Sequence, residues 1–195
     1  EFIGVGAGET VAEGVCRGLQ KCLDKELNKQ LINKKNNVAP LQVDTVEDER
    51  CRFYLGALTT IHGSPTIGLG EEVNGFPVIW VGTNDVWYGG VGLNLTLALR
   101  KALQQALMKA QCPTASQPVQ AQEVSSVLLE EKGPLSLAIP ACDEKSQSKI
   151  LHSARQILEQ NHKRLFVVDL AFEPFLKEGL AGVFGVLLRE EGETR

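Results

Sequence analysis

Apolar residues recur at every fourth position in two stretches of this chain. Val11, Val15, Leu19, Leu23 and Leu27 form the first series, and Leu95, Leu99, Leu103 and Leu107 the second. That spacing predicts two helices, each with one apolar ridge turned to a core. Small residues at 14, 18 and 22, and at 98, 102 and 106, lie beside the ridges and let another backbone approach closely. The opposite faces carry Arg17, Lys21, Asp24 and Lys25 in the first helix and Lys101, Gln105 and Met108 in the second.

Residues 149–160 predict a further helix with Ile150, Leu151, Ala154, Ile157 and Leu158 inward. Residues 46–61 predict another, capped by Asp44 or Thr45 and stopped by His62, Gly63, Ser64 and Pro65. Residues 76–81 (FPVIWV) predict a strand that pairs with 85–88 across Gly82, Thr83 and Asn84. Residues 135–139 predict a short strand, and 165–170 and 183–188 are apolar runs of the buried-strand type. The mixture predicts an α/β fold in α+β layers, with helices packed on a mixed β-sheet.

The two leading helices belong to a repeat. Set against each other with an offset of 84 residues, Gly6 and Gly8 meet Gly90 and Gly92, and Gly14, Gly18 and Cys22 meet Ala98, Ala102 and Ala106. Leu19, Gln20, Leu23 and Lys25 meet Leu103, Gln104, Leu107 and Lys109. Such self-similarity predicts duplicated units, each a glycine-rich turn followed by a helix. The expected organisation is one domain fragment over 1–195, with the repeat at 4–27 and 88–110 and a polar linker at 111–118.

Composition narrows the function. The chain of 195 residues is 43% hydrophobic and 23% charged, and offers no apolar run long enough to span a bilayer. A net charge of −4 without a basic stripe points away from nucleic acid. Five cysteines without a CxxC pair suit reduced thiols in a cytoplasmic protein, packed as small buried hydrophobes. The start at Glu1, without methionine or signal-peptide pattern, reads as a fragment of a longer polypeptide.

Candidate chemistry is sparse. His62, His152 and His162 show no metal-ligand spacing, and no G-x-S-x-G or Cys/His signature is present. Glu47, Asp48 and Glu49 fit a helix start, where acids favour the macrodipole, and Trp80 and Trp87 fit core anchors. The opening GVGAGE lacks the third glycine of a dinucleotide fingerprint. Glycine-rich approaches to helix N-termini nevertheless suit phosphate. They make Gly6, Gly8, Gly90 and Gly92, with Arg17, Lys21 and Gln105 on the helix faces, the phosphate-binding candidates.

GAGETVAEGVCRGLQKCLDK resembles the first signature of YcaO-like proteins, a helix reading GKGxTxxxAxxxALxEAxER. WYGGVGLNLTLALRKALQQALMKAQ, after FPVIWV, resembles their second, and ILEQNHKRLFVVDLAFEPFLKEGLAGVFGVLLRE resembles their closing helix and strands. The resemblance implies a YcaO-like fold and an ancestry in enzymes that use ATP and magnesium to cyclise Cys, Ser or Thr side chains into azolines. Their helix glutamates hold the magnesium. Here the corresponding positions are Lys21 and Asp24 in the first signature and Gln105 in the second, with Lys25 for an arginine and Ala7 for a lysine. Neither lysine nor glutamine supplies an anionic ligand for magnesium.

The resemblance thus implies a degenerate, non-catalytic domain of the kind found in ThiF-like maturation proteins of thiazole-containing bacteriocins. Its expected partners are a bacteriocin precursor peptide, cyclodehydratase subunits or a second copy in a homodimer. Two rival expectations stand beside it: a cyclodehydratase component that still binds nucleotide through Arg17 and Lys21, and a dimerisation or peptide-binding module docking through strand edges near residues 78–81.

Overall fold

The computed structural model describes residues 3–33, 37–111, 122–124, 127–130, 133–170 and 182–192. Along these the elements are β1 (Ile3–Gly8), α1 (Val11–Asn33), β2 (Asn37–Val46), α2 (Glu49–His62), β3 (Thr66–Gly70), β4 (Val78–Thr83), β5 (Val86–Val91) and α3 (Leu95–Gln111). Then come β6 (Gln122–Val124), β7 (Leu128–Leu129), β8 (Leu135–Ile139), α4 (Gln147–Gln160), β9 (Lys163–Asp169) and β10 (Gly182–Glu190). The chain forms two compact units, one of residues 1–26, 74–76 and 143–195, the other of 27–73 and 77–142. The expected linker at 111–118 lies outside the described residues except for Gln111, the last residue of α3.

In the first unit, β1, β10 and β9 form an antiparallel sheet in that order, with Gly6 opposite Phe184 and Val186 opposite Val167. The ridge of α1 is buried at Val15, Leu19 and Leu23, whereas Val11, in the first turn, is exposed. Helix and sheet lie very close. A Cβ at Gly14 would come within 2.6 Å of the Phe184 ring, and one at Gly18 within 2.6 Å of Val186 Cγ2. From the other side, a side chain at Gly6 would collide with the backbone of Gly14 and Gly18.

The same packing holds the second copy. A Cβ at Gly90 would stand 2.5 Å from the Ala98 carbonyl oxygen and 2.7 Å from the Ala102 nitrogen, again 84 residues on. Here the expectation of glycine-rich turns is corrected. Gly4, Gly6 and Gly8 lie in β1, and Gly89 and Gly90 in β5. Glycine stands there because helix backbone occupies the space of a side chain, an approach that needs no unusual φ.

The second unit is a mixed sheet ordered β6-β5-β4-β3-β2-β7, with β8 also paired to β2. All neighbours are antiparallel except β7 and β8, which run parallel to β2. Its core gathers Ile79 and Val81 from the sheet, Leu99, Leu103 and Ala102 from α3, and Leu58 and Cys51 from α2. Asn84 and Asp85, at φ 49° and 63°, make the two-residue turn between β4 and β5, so Gly82 and Thr83 continue the strand. Because β4 pairs on both sides, with β3 and β5, the expected docking edge near residues 78–81 does not exist. Trp80 is buried, as a core anchor should be.

Three further expectations are revised. The helix of 46–61 begins at Glu49, because residues through Val46 belong to β2, and Asp48, not Asp44 or Thr45, is its cap. A register shift between Val43 and Thr45 breaks the alternation of β2, which hid the strand. The run 165–170 falls largely in β9, the outer strand of its sheet among the described residues, with Phe166 and Val168 exposed, while 183–188, in the central strand, carries the buried Phe184 and Val186.

Both units repeat one plan. The sheet segment β3-β4-β5 lies between a 14-residue helix, α2, and α3 in chain order. The sheet β9-β10-β1 follows the 14-residue α4 and leads into α1, but the chain reaches it from its two ends.

Candidate functional site

At the start of α1 two side chains cap the helix from within the chain. Thr10 Oγ1 accepts the Glu13 amide at 3.2 Å, and the Glu13 carboxylate accepts the Glu9 amide at 2.9 Å. Glu13 also pairs with Arg17 at 2.6 Å. The helix N-terminus next to Gly6 and Gly8 therefore already faces a carboxylate of its own chain.

Arg17 has a second partner. Its guanidinium donates to the Ala7 carbonyl at 2.8 Å, and two turns further on the Lys25 ammonium donates to the Ile3 carbonyl at 2.8 Å. Between them Lys21 is exposed. The candidates Gly6, Gly8, Arg17 and Lys21 are thus neighbours at one strand–helix junction, with the arginine engaged by carboxylate and backbone.

Inside the same junction Cys22 takes a role the sequence left open. Its thiol accepts the Gly4 amide at 3.1 Å and donates to the Val186 carbonyl at 3.0 Å, bridging β1 and β10. Burial raises its pKa, so it stays a thiol. Cys16, which donates to the Gln147 carbonyl at 3.7 Å, is likewise pushed up by burial, to about 11.

In the second unit Gly90 and Gly92 lead into α3, whose first turn is capped by Asn94 accepting the Leu97 amide at 2.8 Å. Gln105 lies on α3, half-buried, with its side-chain oxygen buried and unpartnered among the described residues.

Of the charged residues that matter most here, the sequence named only Asp48, as an acid at a helix start, and not its partner Arg100. Arg100 and Asp48 form a buried ion pair at 2.7 Å, their side chains only 9% and 5% exposed. Asp48 also accepts the amides of Cys51 at 3.0 Å and Cys142 at 3.2 Å. Burial alone would raise its pKa, but the hydrogen bonds from Arg100, Cys51 and Cys142 outweigh it and hold the carboxyl at about 2. Thr96 donates to Pro140 at 2.8 Å, and Asn94 to the Cys142 sulfur at 3.4 Å, tying the N-terminal turn of α3 to the segment after β8. Cys51 is pushed up to about 12, by burial first and by Asp48 next.

This cluster holds together; it offers no reactive group. Its carboxylate is saturated with donors and its buried thiol stays protonated. One local signal for it existed: Arg100 interrupts the small and apolar residues around Leu99 and Ala102, at the position equivalent to the buried Cys16.

The magnesium implied by the YcaO resemblance needs several oxygen ligands held close together. Among the described residues no group of three or more His, Cys, Asp or Glu could hold a metal ion. α3 contains no acidic residue, and on α1 Glu13 is bound by Arg17 while Asp24 accepts from Gln20 at 3.0 Å. Among the described residues these helix faces lack the clustered oxygen donors that magnesium takes.

No family model matches the chain, and no curated protein is similar to it in sequence. Solved structures are similar to it in fold. The heterocyclase TruD is similar at a TM-score of 0.63 and 16% identity, over 95% of this chain and 28% of that one. A heterocyclase in complex with substrate and cofactor is similar at 0.62 and 16%, over 98% and 29%. YcaO from Methanopyrus kandleri, bound with AMPPCP and Mg2+, is similar at 0.55 and 16%, over 98% and 55%. The chain therefore spans less than a third of the two heterocyclases and about half of the M. kandleri protein. At this identity the likeness speaks for the fold: the chain has a YcaO-like fold.

Proposed function

We propose that this chain is a non-catalytic YcaO-like domain that serves as a scaffold and docking partner in the cytoplasmic maturation of a thiazole- or oxazole-modified bacteriocin. The observation that carries this reading is the pair of substituted helix faces. Where the resemblance places magnesium-holding carboxylates, α1 presents Lys21 and Asp24 and α3 presents Gln105, and the described residues form no alternative acidic cluster. The parts that make the fold are retained: glycines against helix backbone, buried ridges and capped helices.

A domain that keeps its packing while losing its ligands contributes surfaces. Its partners would be the precursor peptide and the subunits of an active cyclodehydratase, which would supply the ATP chemistry. Reconstituted heterocycle formation, followed by the mass lost with each ring, tests the reading. Removing the domain from the complex should stop or slow processing, and adding it back should restore it. Unchanged processing without the domain contradicts the proposal.

A further inference from the structure

The two repeat copies treat the open side of their strand differently. In the second copy β6 pairs along β5, with Trp87 opposite Val124, Tyr88 opposite Glu123 and Gly89 opposite Gln122. The equivalent residues of the first copy, 84 positions earlier, are Ile3, Gly4 and Val5. Among the described residues β1 is the outer strand of its sheet.

In an antiparallel strand the amide and carbonyl of one residue point the same way, and alternate residues point to opposite sides. The Ile3 and Ala7 carbonyls are taken by Lys25 and Arg17 of α1. Val5, of the same parity, therefore directs its amide to the same free side. Exposed strand edges bind further strands unless something covers them, and cationic side chains are one such cover. Here the cover is replaceable: each cation holds a carbonyl that the amide of an incoming strand would satisfy equally well.

We propose that the free edge of β1 receives an extended segment of a partner protein in which acidic and apolar residues alternate. Charge complementarity selects the acids. Arg17, Lys21 and Lys25 follow one another at four-residue intervals on α1 and are all exposed. Their spacing of about 6 Å matches the rise of roughly 6.6 Å between same-face residues of a strand. On docking, amides of the new strand replace the cations on the Ile3 and Ala7 carbonyls, and the released side chains pair with its carboxylates.

The apolar half of the pattern falls on the opposite sheet face. There Ile3 and Val5 are 54% and 40% exposed, and Phe166 and Val168, across the sheet in register with Leu187 and Gly185, are exposed as well. Main-chain bonds supply the affinity of such strand addition and the alternating side chains its selectivity. The proposal does not depend on whether the fold binds nucleotide.

The test uses the full chain and a fluorescein-labelled ten-residue peptide alternating glutamate and valine, read by anisotropy at low salt. Saturable binding is expected, at least tenfold weaker for a peptide of the same composition with its glutamates clustered. Lys21→Glu should weaken it about tenfold, and Val5→Pro, which removes an edge amide, should abolish it. Absence of saturable binding, equal binding of the clustered peptide, or binding unaffected by Lys21→Glu overturns the proposal. So does concentration-dependent dimerisation that Val5→Pro removes while the peptide fails to bind, which would assign the edge to a second copy.

Discussion

The strand–helix pairs β1–α1 and β5–α3 share their close packing but differ in how they hold the back of the helix. At the position where α1 has Cys16, α3 has Arg100. Cys16 is a buried thiol with one long contact to the Gln147 carbonyl. Arg100 is a buried cation that needs Asp48 from the cap of α2. The same place in the fold is filled by a small neutral group in one unit and by a buried charge network in the other. Local packing tolerates either solution; sensitivity to substitution and to acid does not.

The largest expected effect comes from breaking the pair. Asp48→Asn leaves Arg100 buried without its countercharge, so equilibrium urea unfolding should show a loss of about 3–5 kcal/mol. Replacing both, Asp48→Leu with Arg100→Met, should recover most of it. Cys16→Ala, at the equivalent position, should cost only about 1 kcal/mol. If Cys16→Ala proved as damaging as Asp48→Asn, the contrast between the copies would be lost.

The glycines sharpen the likeness in turn. Gly6→Ala and Gly90→Ala each push a methyl into helix backbone, and each should cost about 1–3 kcal/mol. A neutral Gly90→Ala would show that the second copy is not packed as the first.

Such close approaches were legible in the sequence as paired glycines and small residues beside a leucine ridge; both leading helices followed from the same spacing, and the mixed α/β class from the strands and helices together. The strands were harder. β2 contains Pro40 and a bulge, and β3, TIGLG, is too glycine-rich to read as a strand; β6 and β7 are only three and two residues long. Strands of this kind are decided by their neighbours in the sheet. The Asp48–Arg100 pair joins residues 52 apart, so the break that Arg100 makes in the apolar pattern of α3 could not name its partner. The Ala7 carbonyl that Arg17 holds was hidden as well, because it belongs to a strand that the glycines had disguised as a turn.

Acid provides the next contrast. Asp48 falls from an ordinary 3.8 to about 2 in the folded chain, so its contribution is present above pH 4 and disappears as pH drops towards 2. A loss of roughly 2 kcal/mol is expected across that window. In the Asp48→Leu/Arg100→Met protein the same descent should be shallower by that amount; an unchanged slope would mean that other carboxylates dominate. The smallest effect is a gain. Gly56, exposed in α2 with no atom of the described residues within 4 Å of a Cβ, should stabilise the protein by about 1 kcal/mol when changed to alanine.

The proposal that this YcaO-like fold binds no magnesium nucleotide is tested most directly by calorimetric titration of the purified chain with ATP, with and without magnesium. The account predicts no heat of binding in either condition. Saturable, magnesium-dependent binding would contradict it and return the chain to the working heterocyclases.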